Sequence, residues 1–188
     1  MYRNLALHLH KKPKKRLAAR TALALKVPAQ SDLTWSLDFM SDSLSNGRTI
    51  RTLNVMDDYN REALWIEVDT SLPAERVIRV LENLLLWRAA PKQIRMDNGP
   101  ELISKRLEGW AKGKQIELLH IQPGKPAQNA YIERFNRTYR EDVLDVYLFD
   151  DLEEVRTITE HWLEQYNTIR PHEALQGLSP RQYASQNP

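Results

Sequence analysis

An α/β fold, a five-stranded mixed sheet flanked by helices, is predicted by three observations. Residues 33–68 hold three short segments of strand character separated by turn signals, which reads as an antiparallel meander. Residues 71–121 alternate helical and strand patterns, and that alternation adds two strands through crossover connections. From residue 129 onward the pattern is helical. The order is βββαβαβ followed by helices.

The strands come first. In residues 33–40, Leu33, Trp35, Leu37 and Phe39 point one way, and Thr34, Ser36, Asp38 and Met40 the other. Aspartate is depleted in strand interiors, so Asp38 needs a reason: a solvent-facing edge or a functional ligand. Ser45-Asn46-Gly47-Arg48 is a hairpin turn. Residues 49–56 form the returning strand, 57–61 another turn, and 62–68 the third strand. Asp57 and Asp58 in that turn read as capping or solvated acids.

A helix over 71–88 follows, with Ser71 as its cap and Pro73 and Glu75 in its first turn. Val77, Leu81 and Leu84 form its apolar stripe. Residues 92–96 are a strand that delivers Asp97 at its C-terminal end, the edge where α/β sheets carry sites. Asn98-Gly99 turns the chain. Pro100 is expected to open a second helix, with Ile103, Leu107 and Trp110 facing the core and Gly113 at its stop. Residues 115–121 make the fifth strand.

Residues 122–128, with Pro123, Gly124 and Pro126, are a loop. Asn129 is placed to cap the next helix. There Ile132, Phe135 and Tyr139 share the core stripe, and Glu133, Asn136, Arg137 and Arg140 the neighbouring face. Asp150 or Asp151 starts a last long helix with Val155, Thr159, Trp162 and Tyr166 on one face. His172, in the loop 167–175, reads as structural rather than as a metal ligand.

Composition narrows the function classes. The 188 residues are 41% hydrophobic and 28% charged, which suits one globular domain with a real core. No apolar run approaches about 18 residues, so no transmembrane helix is expected. The N-terminus has no continuous apolar segment of the secretory kind. There is no cysteine, which excludes disulfides and cysteine-ligated zinc. Net charge is +2, but residues 1–30 carry eight positive groups and no acid. This basic arm is read as a linker or partial helix, and residues 31–185 as the main domain with a C-terminal helical extension. Lys11, Lys12, Lys14, Lys15 and Arg16 in the arm are candidates for phosphate contact.

Three carboxylates stand out: Asp38 and Asp97 on or at strands, and Glu133 on a later helix. Thirty-five residues separate Asp97 from Glu133. With the words "WSLDFM", "DNGPE", "QPGKPAQNAYIERFNRTYRE" and "YNTIRPHEAL", the set resembles the DDE transposases of bacterial insertion sequences. These are of the OrfB type and similar to the integrase catalytic core of retroviruses. The resemblance covers about residues 1–185.

It implies a ribonuclease-H-like fold and a Mg²⁺-dependent polynucleotidyl transferase. Asp38, Asp97 and Glu133 would hold two Mg²⁺ ions, Mn²⁺ being able to substitute, for DNA cleavage and strand transfer in transposition and DNA integration. It implies DNA contacts from Arg140, with Lys125 and Arg137 as further candidates. It also implies transposon ends and target DNA as substrates and a homo-oligomer on DNA. The arm leaves little room for a helix-turn-helix. An OrfA-type DNA-recognition subunit or fusion is therefore expected to read the ends, in a cytoplasmic, nucleoid-associated bacterial protein. Two alternatives stay open: a ribonuclease-H-like nuclease that only hydrolyses, and a truncated, catalytically inert DNA-binding fragment.

Overall fold

The computed structural model describes Leu25, residues 27–122 and residues 126–187. Five strands form one sheet: β1 (Thr34–Ser43), β2 (Thr49–Asp57), β3 (Ala63–Asp69), β4 (Gln93–Met96) and β5 (Glu117–His120). Their order is β3-β2-β1-β4-β5. β1–β2 and β2–β3 are antiparallel, and β1–β4 and β4–β5 parallel. The mixed sheet expected from the meander and the crossovers is therefore observed. Helices α1 (Ala74–Leu84) and α2 (Lys105–Gly113) pack on one face. Helices α3 (Ala130–Tyr139) and α4 (Leu152–Thr168) pack on the other, and α5 (Pro180–Gln186) follows.

The alternation along β1 explains the two faces. Trp35 and Leu37 are fully buried in the core beneath α1 and α2, while Met40 enters the core beneath α3 and α4. β1 is the middle strand, so Asp38 does not lie on a solvent-facing edge. It faces the α3 side. There Ile132, Phe135 and Tyr139 are buried as the helical stripe requires. Asp151 caps α4, accepting from the backbone N–H groups of Glu153 and Glu154 at 2.9 Å.

Several boundaries differ from the sequence expectation. α1 starts at Ala74 after Pro73, with no side-chain cap, so Ser71 does not cap it. α2 does not open at Pro100. Its cap is Ser104, whose Oγ accepts from the Leu107 N–H at 3.2 Å. Residues 100–103 form a turn that buries Leu102 fully and leaves Ile103 half exposed, so the core contact falls one residue earlier. Beyond Gly113 the chain reverses at Gln115, the residue that adopts positive φ (60°). Asn129 makes no side-chain cap bond to α3.

The acidic turn after β2 is not solvated. Asp57 and Asp58 are fully buried. Asp57 accepts from the N–H groups of Asp32 (2.8 Å) and Tyr59 (2.9 Å), which is the capping role expected. Arg88 spans Asp32, Glu62 and Asp57 at 3.0, 2.9 and 3.3 Å. Asp58 pairs with Arg95 and accepts from Ser36 Oγ at 2.6 Å. Burial raises both aspartate pKa values, that of Asp57 to about 6.

β3 is an outer strand, and side chains meet its free backbone at both ends. Asn167 accepts from the Ala63 N–H at 2.9 Å and donates to the Ala63 carbonyl at 2.8 Å. Arg156 donates twice to the Val68 carbonyl, at 3.2 and 3.0 Å.

Candidate active site

Each of the three carboxylates is placed by a different element. Asp38 is set by the register of the central strand, where its Cα partner is Asn54 on β2. Asp97 follows the last residue of β4, as the Asn98-Gly99 signal predicts. Its Oδ1 accepts from the Gly99 N–H at 2.9 Å, closing a tight turn. A Cβ on Gly99 would stand 3.0 Å from that same oxygen, so any side chain there would push the Asp97 carboxylate by a few tenths of an ångström. Asn98 Nδ2 ties the turn to the Ile121 carbonyl on the β5 side at 2.9 Å, and His120 Nδ1 lies 3.2 Å from the Asp97 carbonyl oxygen. Glu133 is exposed in the first turn of α3, where the helix dipole favours a carboxylate.

Electrostatics link the three. The Asp38 pKa is raised to about 6, first by burial and then by the charges of Asp97 and Glu133. Two hydrogen bonds oppose that rise. The Phe39 N–H donates to Oδ1 at 2.9 Å, and Asn136 Nδ2 donates to Oδ2 at 2.8 Å. Asn136 in turn accepts from Asn54 Nδ2 at 2.7 Å. The Asp38 carboxylate is thus held at both oxygens. Among the described residues none of the three acids forms an ion pair with arginine or lysine. In particular, no Glu133–Arg137 pair forms.

Hard oxygen donors that repel one another suit a divalent cation. Among the described residues, however, no three acidic or histidine groups stand as a ready-made ligand set. The donor chemistry fits a metal, and the side chains would have to draw closer to share one.

The candidate DNA contacts fall out differently. Arg137 is exposed beside Glu133 on α3. Arg140 turns back to the sheet: it donates to the Ser41 carbonyl at 2.9 Å and lies 3.6 Å from Asp42 and 3.5 Å from Asp145. Lys125, Lys11, Lys12, Lys14, Lys15 and Arg16 lie outside the described residues. His172 packs edge-on against Tyr166, centroids 4.9 Å apart, in the structural role expected.

Sequence reasoning missed the supporting residues. Asn136 was assigned to the face of Glu133, but not to Asp38. Glu101, next to Pro100, does not lie in the expected second helix. Instead it pairs with Arg51 of β2, whose guanidinium lies 4.6 Å from the Phe39 ring centroid. The loop after Asp97 is thereby tied to the strand pair that carries Asp38.

A mixed sheet ordered β3-β2-β1-β4-β5, with helices on both faces, is the architecture of ribonuclease-H-like catalytic cores. Comparison with known proteins gives the family. The integrase core domain family matches residues 28–126 and, in a second form, residues 114–180. This chain belongs to the integrase core domain family, on the branch carried by insertion elements as transposases.

It is 37% identical over 187 residues to an uncharacterized 31.7 kDa protein of insertion element IS407 from Burkholderia multivorans, spanning 100% of this chain and 68% of that one. It is 36% identical to a 39.2 kDa protein of IS476 from Xanthomonas euvesicatoria, spanning 98% of this chain and 54% of the relative. It is 26% identical to a putative transposase InsD of Escherichia coli, covering 96% of this chain and 86% of the relative. The chain thus spans half to two-thirds of the first two relatives. Two solved structures share the fold. One is the simian T-cell lymphotropic virus intasome in complex with a PP2A subunit (TM-score 0.68, 15% identity, 85% of this chain and 56% of that one). The other is the HTLV-2 integrase catalytic core domain in complex with magnesium (TM-score 0.64, 16% identity, 82% and 97%). No described helix is long and apolar enough to cross a membrane.

Proposed function

We propose that this chain cleaves DNA strands and joins them to a target, with Asp38, Asp97 and Glu133 as its catalytic carboxylates. The observation that carries the reading is the Asp38 carboxylate, held at both oxygens and facing the charges of Asp97 and Glu133. Divalent ions, Mg²⁺ by the family's chemistry, would be held by these three residues and would supply charge neutralisation at the reacting phosphodiester.

The chain's own residues do the positioning. The Phe39 N–H and Asn136 fix the plane of the Asp38 carboxylate. The Gly99 N–H fixes that of Asp97. Glu133 would be brought from α3, where it is exposed, as the third ligand. Their mutual repulsion disfavours the fully ionised, metal-free site, so cation binding and carboxylate ionisation reinforce one another. No covalent protein–DNA intermediate is required, so no serine or tyrosine nucleophile is assigned.

The substrates that fit this reading are the element's ends and a target duplex. The protein would work as an oligomer on DNA, with end recognition from an OrfA-type subunit or fused segment. The basic residues 1–30, Lys125, Arg137 and Arg140 are proposed phosphate contacts. Arg140 would first have to leave Ser41 and Asp42.

The test is a Mg²⁺-dependent assay on labelled element ends that scores nicking and joining separately. Wild-type protein should do both, and Asp97→Asn and Glu133→Gln neither, with far-UV circular dichroism unchanged. Nicking without joining would make the chain a hydrolytic nuclease. Full activity in either variant would remove the assignment.

A further inference from the structure

On the α3–α4 face lies a cavity of about 260 Å³ that the proposed chemistry does not use. Four separate stretches of chain build it: the β2–β3 turn, α3, the end of α4 and the loop beyond it. Arg61, Arg134, Arg170 and His172 all line it. Arg61 Nη1 and the His172 Nε2 atom are buried without any hydrogen-bond partner among the described residues. A buried polar atom left unpaired costs about 1–3 kcal/mol, so the two atoms point to a partner that the described residues do not provide. The Arg61 guanidinium lies over the Tyr131 ring, 3.4 Å from its centroid, which fixes its position. Arg170 is anchored by Asp142. One acid, Glu173, lies in the wall, on an exposed turn. The His172 imidazole registers the net positive field: burial first, then Arg170, Arg134 and Arg61, lower its pKa to about 4.

We propose that this arginine-lined cavity is a phosphate-binding site for the DNA strand, formed by Arg61, Arg134 and Arg170 with the His172 ring at its floor. The proposal rests on the DNA-joining reading above. Arg134 directly follows Glu133 on α3, so the two side chains diverge by about 100° around one helix. A helix with its side chains is about 10–12 Å across, and a strand carries one phosphate per about 3.4 Å of duplex axis. A strand reacting at Asp38 and Glu133 that continues across α3 would bring one of its next phosphates to the cavity. Guanidinium forks match phosphate oxygens in geometry as well as charge.

Three guanidinium groups against one carboxylate in the wall favour a polyanion over a single acidic side chain. Tyr131, which lines the cavity, donates from Oη to the Leu25 carbonyl at 2.8 Å, and the sequence before residue 25 is basic.

The test measures binding without chemistry. A fluorescein-labelled 20-base-pair duplex is titrated with protein in EDTA over a salt series, with anisotropy as the readout. The proteins are wild type, Arg134→Gln, Arg61→Gln and, on the opposite face of the sheet, Arg79→Gln. Circular dichroism and thermal melting check folding, and Arg134, exposed on α3, is the substitution least able to disturb it.

Arg134→Gln and Arg61→Gln should each weaken binding several-fold and flatten the slope of log K against log salt by about one. Arg79→Gln should do neither. Pocket variants that match Arg79→Gln would overturn the proposal. So would altered self-association by sedimentation at unchanged DNA affinity, which would give the cavity to a carboxylate of a second copy. Binding is read in EDTA, without the metal that the chemistry needs. Failure of the joining reading, seen as no chemistry in wild type, is therefore distinct from failure of the pocket.

Discussion

Asn136 on α3 donates to Asp38 on β1 at 2.8 Å while accepting from Asn54 on β2 at 2.7 Å, so one amide fixes the central carboxylate and is itself fixed. Asn136→Ala should remove one of the two bonds that oppose the raised Asp38 pKa and leave buried Asn54 Nδ2 with only the weak Met40 sulfur acceptor at 3.2 Å. We expect a loss of about 1–3 kcal/mol in stability by urea titration. We also expect at least about tenfold slower nicking, roughly 1.4 kcal/mol of barrier, measured where the variant is fully folded. A pH–rate profile should shift its acidic limb upward. An unchanged profile would mean that Asn136 only packs.

The raised pKa of Asp38 gives a stability prediction with a definite sign. Its ordinary value is 3.8 and its folded value about 6, so between these the folded state holds the proton more tightly. Stability of the metal-free protein therefore falls as pH rises through that window and stays lower above it. Asp38→Asn removes this term. The variant should melt higher than wild type at pH 7.5, by an amount on the order of 1–3 kcal/mol, and the gap should narrow toward pH 4.5. Added Mg²⁺ should raise the wild-type melting temperature more at pH 7.5 than at pH 5, and that of Asp38→Asn little at either. Identical melting of the two metal-free proteins across the range would contradict the burial of this charge.

Arg88 is the cation shared by Asp32, Asp57 and Glu62. Arg88→Met strands fully buried Asp57, so a stability loss of about 3 kcal/mol is expected from chemical denaturation. Activity per folded molecule should remain, because this cluster serves the fold. Asp57→Asn and Asp58→Asn should likewise keep metal-dependent activity within about tenfold. A loss of several orders of magnitude with intact folding would place the turn acids in the chemistry.

The Arg51–Glu101 pair ties the loop after Asp97 to β2. A Cβ on Gly99 within that loop would crowd Asp97 Oδ1 at 3.0 Å. Gly99→Ala should therefore displace the carboxylate and lower joining by about tenfold or more, since small misplacements at a reacting centre are expensive. Arg51→Gln, which loosens the loop without crowding it, should cost less. Comparable rates in Gly99→Ala and wild type would show that Asp97 tolerates another position.

What could be read from the residues is what repeats or sits next to itself. Alternation located β1 and the hairpin after it, and Asn98-Gly99 located the end of β4 and hence Asp97. The 3.6-residue stripe of Ile132, Phe135 and Tyr139 oriented α3 and with it Glu133. What could not be read depends on partners distant in the chain. Asp57 and Asp58 looked like surface turn acids, because nothing local announces that Arg88 and Arg95 meet them in the interior. Asn136 reaches Asp38 only because α3 crosses β1 at that residue. Leu102 replaced Ile103 in the core because Ser104, not Pro100, starts α2. The cavity holding Arg61 and His172 draws on four stretches of chain, which no single window of sequence contains.

The outer strand β3 has its free backbone occupied by the side chains of Asn167 and Arg156. A bare strand edge is an invitation to another strand, from a neighbouring copy or a misfolded one. Here an amide and a guanidinium from α4 stand where a sixth strand would dock, at both ends of β3. Two copies of this protein cannot zip their sheets together along that margin without first prying α4 away. Growth of the sheet from molecule to molecule is opposed along that margin.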